Sequence, residues 1–114
     1  MDIATTPYLP GYRVAETKGH VFGLVVRSRG LAGNLSAGLR SLVGGEIHEY
    51  TQLLEDTRRQ AIDRMVQNAT LMGANAVISM RFDSSEMANT MTEIVAYGTA
   101  VVIAADATAP QPGE

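Results

Sequence analysis

The chain has 114 residues and a formal net charge of −3, the length of one domain and a balance that gives no basic footprint for nucleic acid. It holds two histidines and no cysteine, which excludes disulfides, thiolate metal sites and cysteine nucleophiles. Apolar residues make up 46% and charged residues only 18%, below the usual quarter, so a homo-oligomer that hides part of its surface would reconcile the counts.

In chain order, Met1-Asp2-Ile3-Ala4-Thr5-Thr6-Pro7 has neither a basic nor an apolar signal region. The longest apolar run, Val95 to Ala105, falls well short of the roughly 20 residues that span a bilayer. These features predict a soluble chain with a cytoplasmic address and no membrane partner. Pro7 and then Pro10-Gly11 place an extended piece and a turn at the front. Tyr12 to Thr17 reads as a strand, Lys18-Gly19 as a break, and His20 to Arg27 as a second, β-branched and aromatic strand. Gly23 within it marks a bulge or a close backbone approach.

Leu31, Leu35, Leu39 and Leu42 follow at helical spacing and predict a short helix over 31–43, ended by Gly44-Gly45. From Glu46 to Met72 there is no proline or glycine; as one helix this run would extend roughly 40 Å. Its stripe is Ile47, Tyr50, Leu54, Ala61, Met65, Ala69 and Met72, widened by Leu53, Ile62 and Val66. Acids come early and Arg58, Arg59 and Arg64 later, the order the helix dipole favours. Gly73 supplies the stop. A helix this long exceeds what a three-strand sheet can cover, which points to a second subunit.

Asn75 to Asp83 alternates Ala76, Ile78, Met80 and Phe82 against Val77, Ser79, Arg81 and Asp83. Ser84 to Thr92 reads as a polar turn. The last strand sets Ile94, Ala96, Gly98, Ala100 and Val102 against Val95, Tyr97, Thr99, Val101 and Ile103, apolar on both faces. Residues 1–105 are therefore read as one domain, and 106–114, with Pro110, Pro112 and Gly113, as a flexible tail.

Several of these pieces together resemble the YbjQ-like family, labelled as heavy-metal-binding. They are Thr5-Thr6-Pro7, Gly19, Gly23, Arg40 with Val43-Gly44-Gly45, Tyr50, Gly73-Ala74-Asn75-Ala76-Val77 and Gly98-Thr99-Ala100-Val101. The resemblance runs from about Ile3 to Ile103. It implies an α+β fold: a β-α-β-β, dodecin-like subunit with an antiparallel sheet of order 1-3-2, the long helix on one face, and a ring-shaped homo-oligomer, a pentamer. It also implies binding of a divalent metal ion.

A metal site would have to use His20, His48 and carboxylates, and Glu46-Ile47-His48-Glu49 is the densest candidate. No second histidine or acid lies four residues from His48, so the helical chelating pair of zinc enzymes is missing; a solvated histidine among acids is the plainer account, and five copies around an axis would be another way to gather ligands. His20 precedes an apolar strand, where a strand-end hydrogen bond competes with a functional role. Arg40, one turn before Gly44 and Gly45, could hold an anion with the backbone donors of the next helix, or pair with Glu46 or Glu49.

Gly44-Gly45 lacks the Lys and Ser/Thr of a phosphate loop. Arg81, Asp83 and Glu93 suggest a cross-strand ion pair. Met65, Met72, Met80, Met87 and Met91 read as packing groups. No nucleophile elbow appears. The sequence thus favours a non-enzymatic binding or scaffolding ring; a metal-ion or small-anion binder at a subunit boundary is the alternative, and an enzyme acting there is third.

Overall fold

The computed structural model describes residues 1–28, 48–87 and 91–108. Among these described residues five elements follow one another: β1 (Asp2–Ile3), β2 (Tyr12–Ser28), α1 (His48–Leu71), β3 (Ala76–Met87) and β4 (Met91–Ala105). The helix expected over 31–43, Gly44-Gly45 and the stretch 109–114 lie outside the described residues.

The strands form one mixed sheet in the order β1-β3-β4-β2. The expected antiparallel three-strand sheet of order 1-3-2 is thereby corrected. The added strand is the N-terminal dipeptide, which pairs parallel with β3 through Asp2↔Ala76 and Ile3↔Val77. The β2–β4 and β3–β4 pairings are antiparallel, so β4 is hydrogen-bonded on both sides. An interior strand needs apolar groups above and below it, which its sequence provides.

The break expected at Lys18-Gly19 is also corrected, because β2 runs unbroken from Tyr12 to Ser28. Its pairing with β4 skips one residue between Val14 and Glu16 and another between Thr17 and Gly19. Gly19, at φ +120°, absorbs the second irregularity. The polar run Ser84–Met87 is strand and not turn, since Ser84 lies opposite Ile94 and Met87 opposite Met91.

β3 carries a bulge that its own residues do not announce. Ile78 lies opposite Thr99 and Arg81 opposite Tyr97, leaving Ser79 and Met80 against Gly98 alone, and Ser79 adopts φ 53°. A Cβ on Gly98 would lie 2.8 Å from both the Ile78 carbonyl oxygen and Val77 Cγ1. The missing side chain on β4 is what lets β3 crowd inward. The bulge turns two successive amides outward: Ser79 N donates to Thr6 O at 2.9 Å and Met80 N to Ala4 O at 3.0 Å. Ala4 N donates in return to Val77 O, and Arg81 Nη1 donates to Thr5 O at 2.8 Å. The N-terminal segment is thus strapped along β3.

The bulge also reverses the expected alternation in the part of the strand before it, while Met80 and Phe82 keep the core side expected of them. Val77 and Met80 join the core under the helix, with Phe82 packed against it, while Ile78 shares Thr99's face and Arg81 shares that of Tyr97.

α1 has 24 residues, about 36 Å of helix. Its buried line is Thr57, Ala61, Met65 and Ala69, at i, i+4 spacing. These meet Val21 and Val25 of β2, Val77 and Met80 of β3, and Ile94, Ala96 and Ala100 of β4. Thr57, a polar residue not expected in the core, donates its hydroxyl to Leu53 O at 2.8 Å and so enters apolar surroundings satisfied. Before Thr57, no residue of the helix whose burial is described is buried. Arg59 is tied to Glu55 and Asp56, and the Arg58 guanidinium lies 4.9 Å from the centre of the Phe82 ring.

Gly23 is where helix and sheet touch most closely. A Cβ there would collide with the Ala61 carbonyl oxygen and the Met65 amide nitrogen. Of the two sequence readings of Gly23, close approach is the one observed, and the bulges of β2 lie elsewhere.

At its other end α1 stops as expected at Gly73, φ +83°. Ala74 N donates to Ala69 O and Gly73 N to Thr70 O, the paired bonds of a glycine-capped helix end. The last turn contains no basic residue. Lys18, beside Gly73, brings its positive charge to this negative end of the dipole from β2. Asn75 then pairs its side chain with the main chain of Ile103: Ile103 N donates to Oδ1 at 2.7 Å, and Nδ2 donates to Ile103 O at 3.2 Å. With Asn75 N donating to Val101 O, this one residue prolongs the β3–β4 ladder past the start of β3.

Candidate functional site

His20 and His48 do not come together. His48 opens α1, exposed, beside an open polar groove of about 390 Å³ that Thr51, Gln52, Glu55 and Arg59 complete. His20 is exposed on β2, opposite Thr99 of β4. Arg40, Gly44, Gly45 and Glu46 lie outside the described residues, as do the side chains of Glu49 and Tyr50. Among the described residues no three His, Asp or Glu side chains are grouped so as to hold a metal ion. Stable sites for such ions draw three or four protein ligands, so the described part of one subunit does not fit a metal centre.

The groove beside His48 has mixed charge. Arg59 donates to Glu55 Oε2 at 3.3 Å and to Asp56 Oδ1 at 3.1 Å, so its charge is shared between two carboxylates. A second cleft, of about 300 Å³, opens between the edge of β2 and the end of α1, lined by His20, Val21, Phe22, Asn68, Leu71 and Met72. It is largely apolar, and Leu71 is 85% exposed there.

The expected cross-strand cluster of Arg81, Asp83 and Glu93 does not assemble. Arg81 turns to the carbonyls of Thr5 and Met80. Glu93 lies opposite Ser85, whose hydroxyl donates to it at 3.2 Å. Met65 and Met80 are buried as packing groups, whereas Met91 is exposed. The titration shift that stands out is remote from all of this. Asp106, partly exposed, is held below the usual carboxylate range by hydrogen bonds from the Thr108 hydroxyl and amide, with a smaller contribution from Arg13.

The most extensive feature is the sheet face turned away from α1. Residues directly opposite each other in a sheet share a face, so the pairs Phe22↔Tyr97, Leu24↔Val95 and Val26↔Glu93 all stand on this side. Phe22 is 51%, Val26 45% and Tyr97 43% exposed, with Leu24 beside them. Tyr12 and Val14, opposite Ala105 and Ile103, stand exposed on the same face beyond His20 and Thr17. A run of large apolar side chains along one face marks a surface that contacts something other than water. Sequence reasoning found the doubly apolar β4, but not the matching row on β2, because exposed and buried positions of β2 are both apolar.

Among the described residues no helix is long and apolar enough to cross a membrane. The chain is 63% identical over 103 residues to a UPF0145 protein of Bradyrhizobium sp. (strain ORS 278), covering 90% of this chain and 93% of that one. It is 57% identical over 110 residues to a UPF0145 protein of Methanoregula boonei, covering 96% and 92%. Among solved structures, a protein of unknown function from Pediococcus pentosaceus superposes with a TM-score of 0.59 at 18% identity, over 91% of this chain and 98% of that one, and so shares the fold. The relatives and the fold agree with a match of residues 1–104 to a single family, and the chain accordingly belongs to the YbjQ family, described as "Putative heavy-metal-binding".

Proposed function

We propose that this chain is a non-enzymatic, cytoplasmic binding or scaffolding subunit that works as a homo-oligomeric ring, a pentamer, with the open sheet face covered by another copy. The observation that carries this reading is the exposed row Phe22, Leu24, Val26 and Tyr97. Covering the exposed half of each such side chain is worth on the order of 1 kcal/mol. The start of α1 supports the same reading, since the helix projects past its last buried contact at Thr57.

Light scattering on the purified protein should give a multiple of the subunit mass, and the pair Phe22→Lys with Tyr97→Lys should reduce it toward one subunit while far-ultraviolet circular dichroism is preserved. A monomer at micromolar concentration in the unsubstituted protein would sink the reading.

A second reading rests on the polar groove beside His48 and on the family's description: binding of a divalent metal ion or small anion where copies meet, with His48, Glu46, His20 or Arg40, Gly44 and Gly45 contributed by more than one subunit. Calorimetric titration with Zn²⁺, Cu²⁺ and Ni²⁺ should then show heat that His48→Ala diminishes. No heat, and no difference between the two proteins, would remove the metal.

A further inference from the structure

β2 is an edge strand of 17 residues, and an edge of that length presents a row of unpaired N–H and C=O groups on which another strand can add. In an antiparallel pair, alternate residues turn both groups away from the partner. The carbonyls of Phe22 and Leu24, two residues apart, are on this outer side, and both are already taken. Asn68 Nδ2 donates to Phe22 O at 2.8 Å, and Arg64 Nη1 donates to Leu24 O at 2.6 Å. One turn earlier on the same helix face, Gln60 Oε1 accepts from Arg27 Nη2 at 2.7 Å. Residues 60, 64 and 68 recur every four positions, so the three side chains form one row along α1. Gly23, between the two capped carbonyls, brings the helix backbone against the strand, which holds the row in reach of the edge.

We propose that Arg64 and Asn68 close the outer edge of β2 at Phe22–Leu24 to strand addition, the excluded partner being the β2 of a second copy of this chain. An incoming strand would need the Phe22 and Leu24 carbonyls for its own amides and would have to displace an amide and a guanidinium to reach them. The guanidinium bond is the stronger of the two because its donor is charged. Within this edge the uncharged run Val21 to Val26, with Phe22, Leu24 and Val25, has the β-propensity of a short segment prone to edge-to-edge growth. The row on α1 therefore separates two modes of association that the same strand offers: its face is open, and its edge is shut at Phe22 and Leu24. The edge closure does not depend on the oligomer reading; only the contrast with the open face does.

The test uses the full chain with Arg64→Ala and Asn68→Ala together, compared with Arg64→Lys and Asn68→Gln, which keep a donor at each position. The alanine pair should show a mass by light scattering at least twofold above that of the unsubstituted protein, rising with concentration and accompanied by thioflavin T fluorescence, while the Lys/Gln pair keeps the original mass. A folded alanine pair of unchanged mass would overturn the proposal, as would equal growth in both pairs, which would indicate general loosening. If the alanine pair loses its helical dichroism, Asn68→Ala and Arg64→Ala are read singly by the same criteria. The mass of the unsubstituted protein tests the ring; the increment on substitution tests the edge.

Discussion

Gly23→Ala should cost at least about 4 kcal/mol of stability, a loss at the far end of what single substitutions produce. The reason is the identity of what the new methyl group meets. It would overlap the Ala61 carbonyl oxygen and the Met65 amide nitrogen, with the Arg64 carbonyl carbon 2.9 Å away. Side chains can rotate out of such a collision, but helix backbone cannot, so α1 must lift from the sheet as a body. Lifting would also withdraw Ala61, Met65 and Ala69 from the core they share with β2 and β4. At about 4 °C per kcal/mol for a domain of this size, thermal melting followed at 222 nm should shift downward by roughly 15 °C or more, if the variant folds at all. A melting temperature within a few degrees of the original would mean that α1 is not seated on Gly23.

Met65→Ala removes volume from the same junction and should cost about 2–5 kcal/mol. Met65 is among the largest fully buried side chains described, and its surroundings are set by strands on the opposite side that cannot follow it. Part of the cost is lost transfer energy and part is the cavity left behind. Met72→Ala, at a position only partly buried against the core, should cost clearly less. Urea denaturation would measure both, with a lowered midpoint and an unchanged slope indicating that stability alone has altered. Equal losses at the two positions would contradict the packing described.

What the sequence made legible was the structure set by neighbours in the chain. α1 was expected over 46–72 and is described over His48–Leu71, because periodicity and the Gly73 cap are local signals. The two faces of β4 were sorted correctly for the same reason. The bulge of β3 was not legible, since its cause is Gly98 on another strand together with the N-terminal strap. The pairing of Asp2 and Ile3 with residues 76 and 77 leaves no trace in a dipeptide. Ser84–Met87 looked like a turn by composition, yet its polar side chains belong to a strand with little above it to cover.

The candidate site was less legible than the fold. His20 and His48 attracted notice as residue types, but they occupy different elements and lie beside different grooves. The features that organise the surface, the open face and the capped edge of β2, are built from ordinary residues: Phe22 and Tyr97, Arg64 and Asn68. Their meaning depends on the β2–β4 register and on which way α1 faces, neither of which is a property of any one segment.

The strap of residues 2–6 along β3 has a consequence in time. Residues 2–6 cannot find their place until Ala76 and Val77 exist and the bulge at Ser79 has formed against Gly98. β2 waits longer still, since Tyr12 pairs with Ala105. Apart from α1 and the β3–β4 hairpin, nearly every pairing joins distant parts of the chain, the arrangement that slows folding. During synthesis β1 stays unpaired until β3 has emerged, and β2 until β4 has.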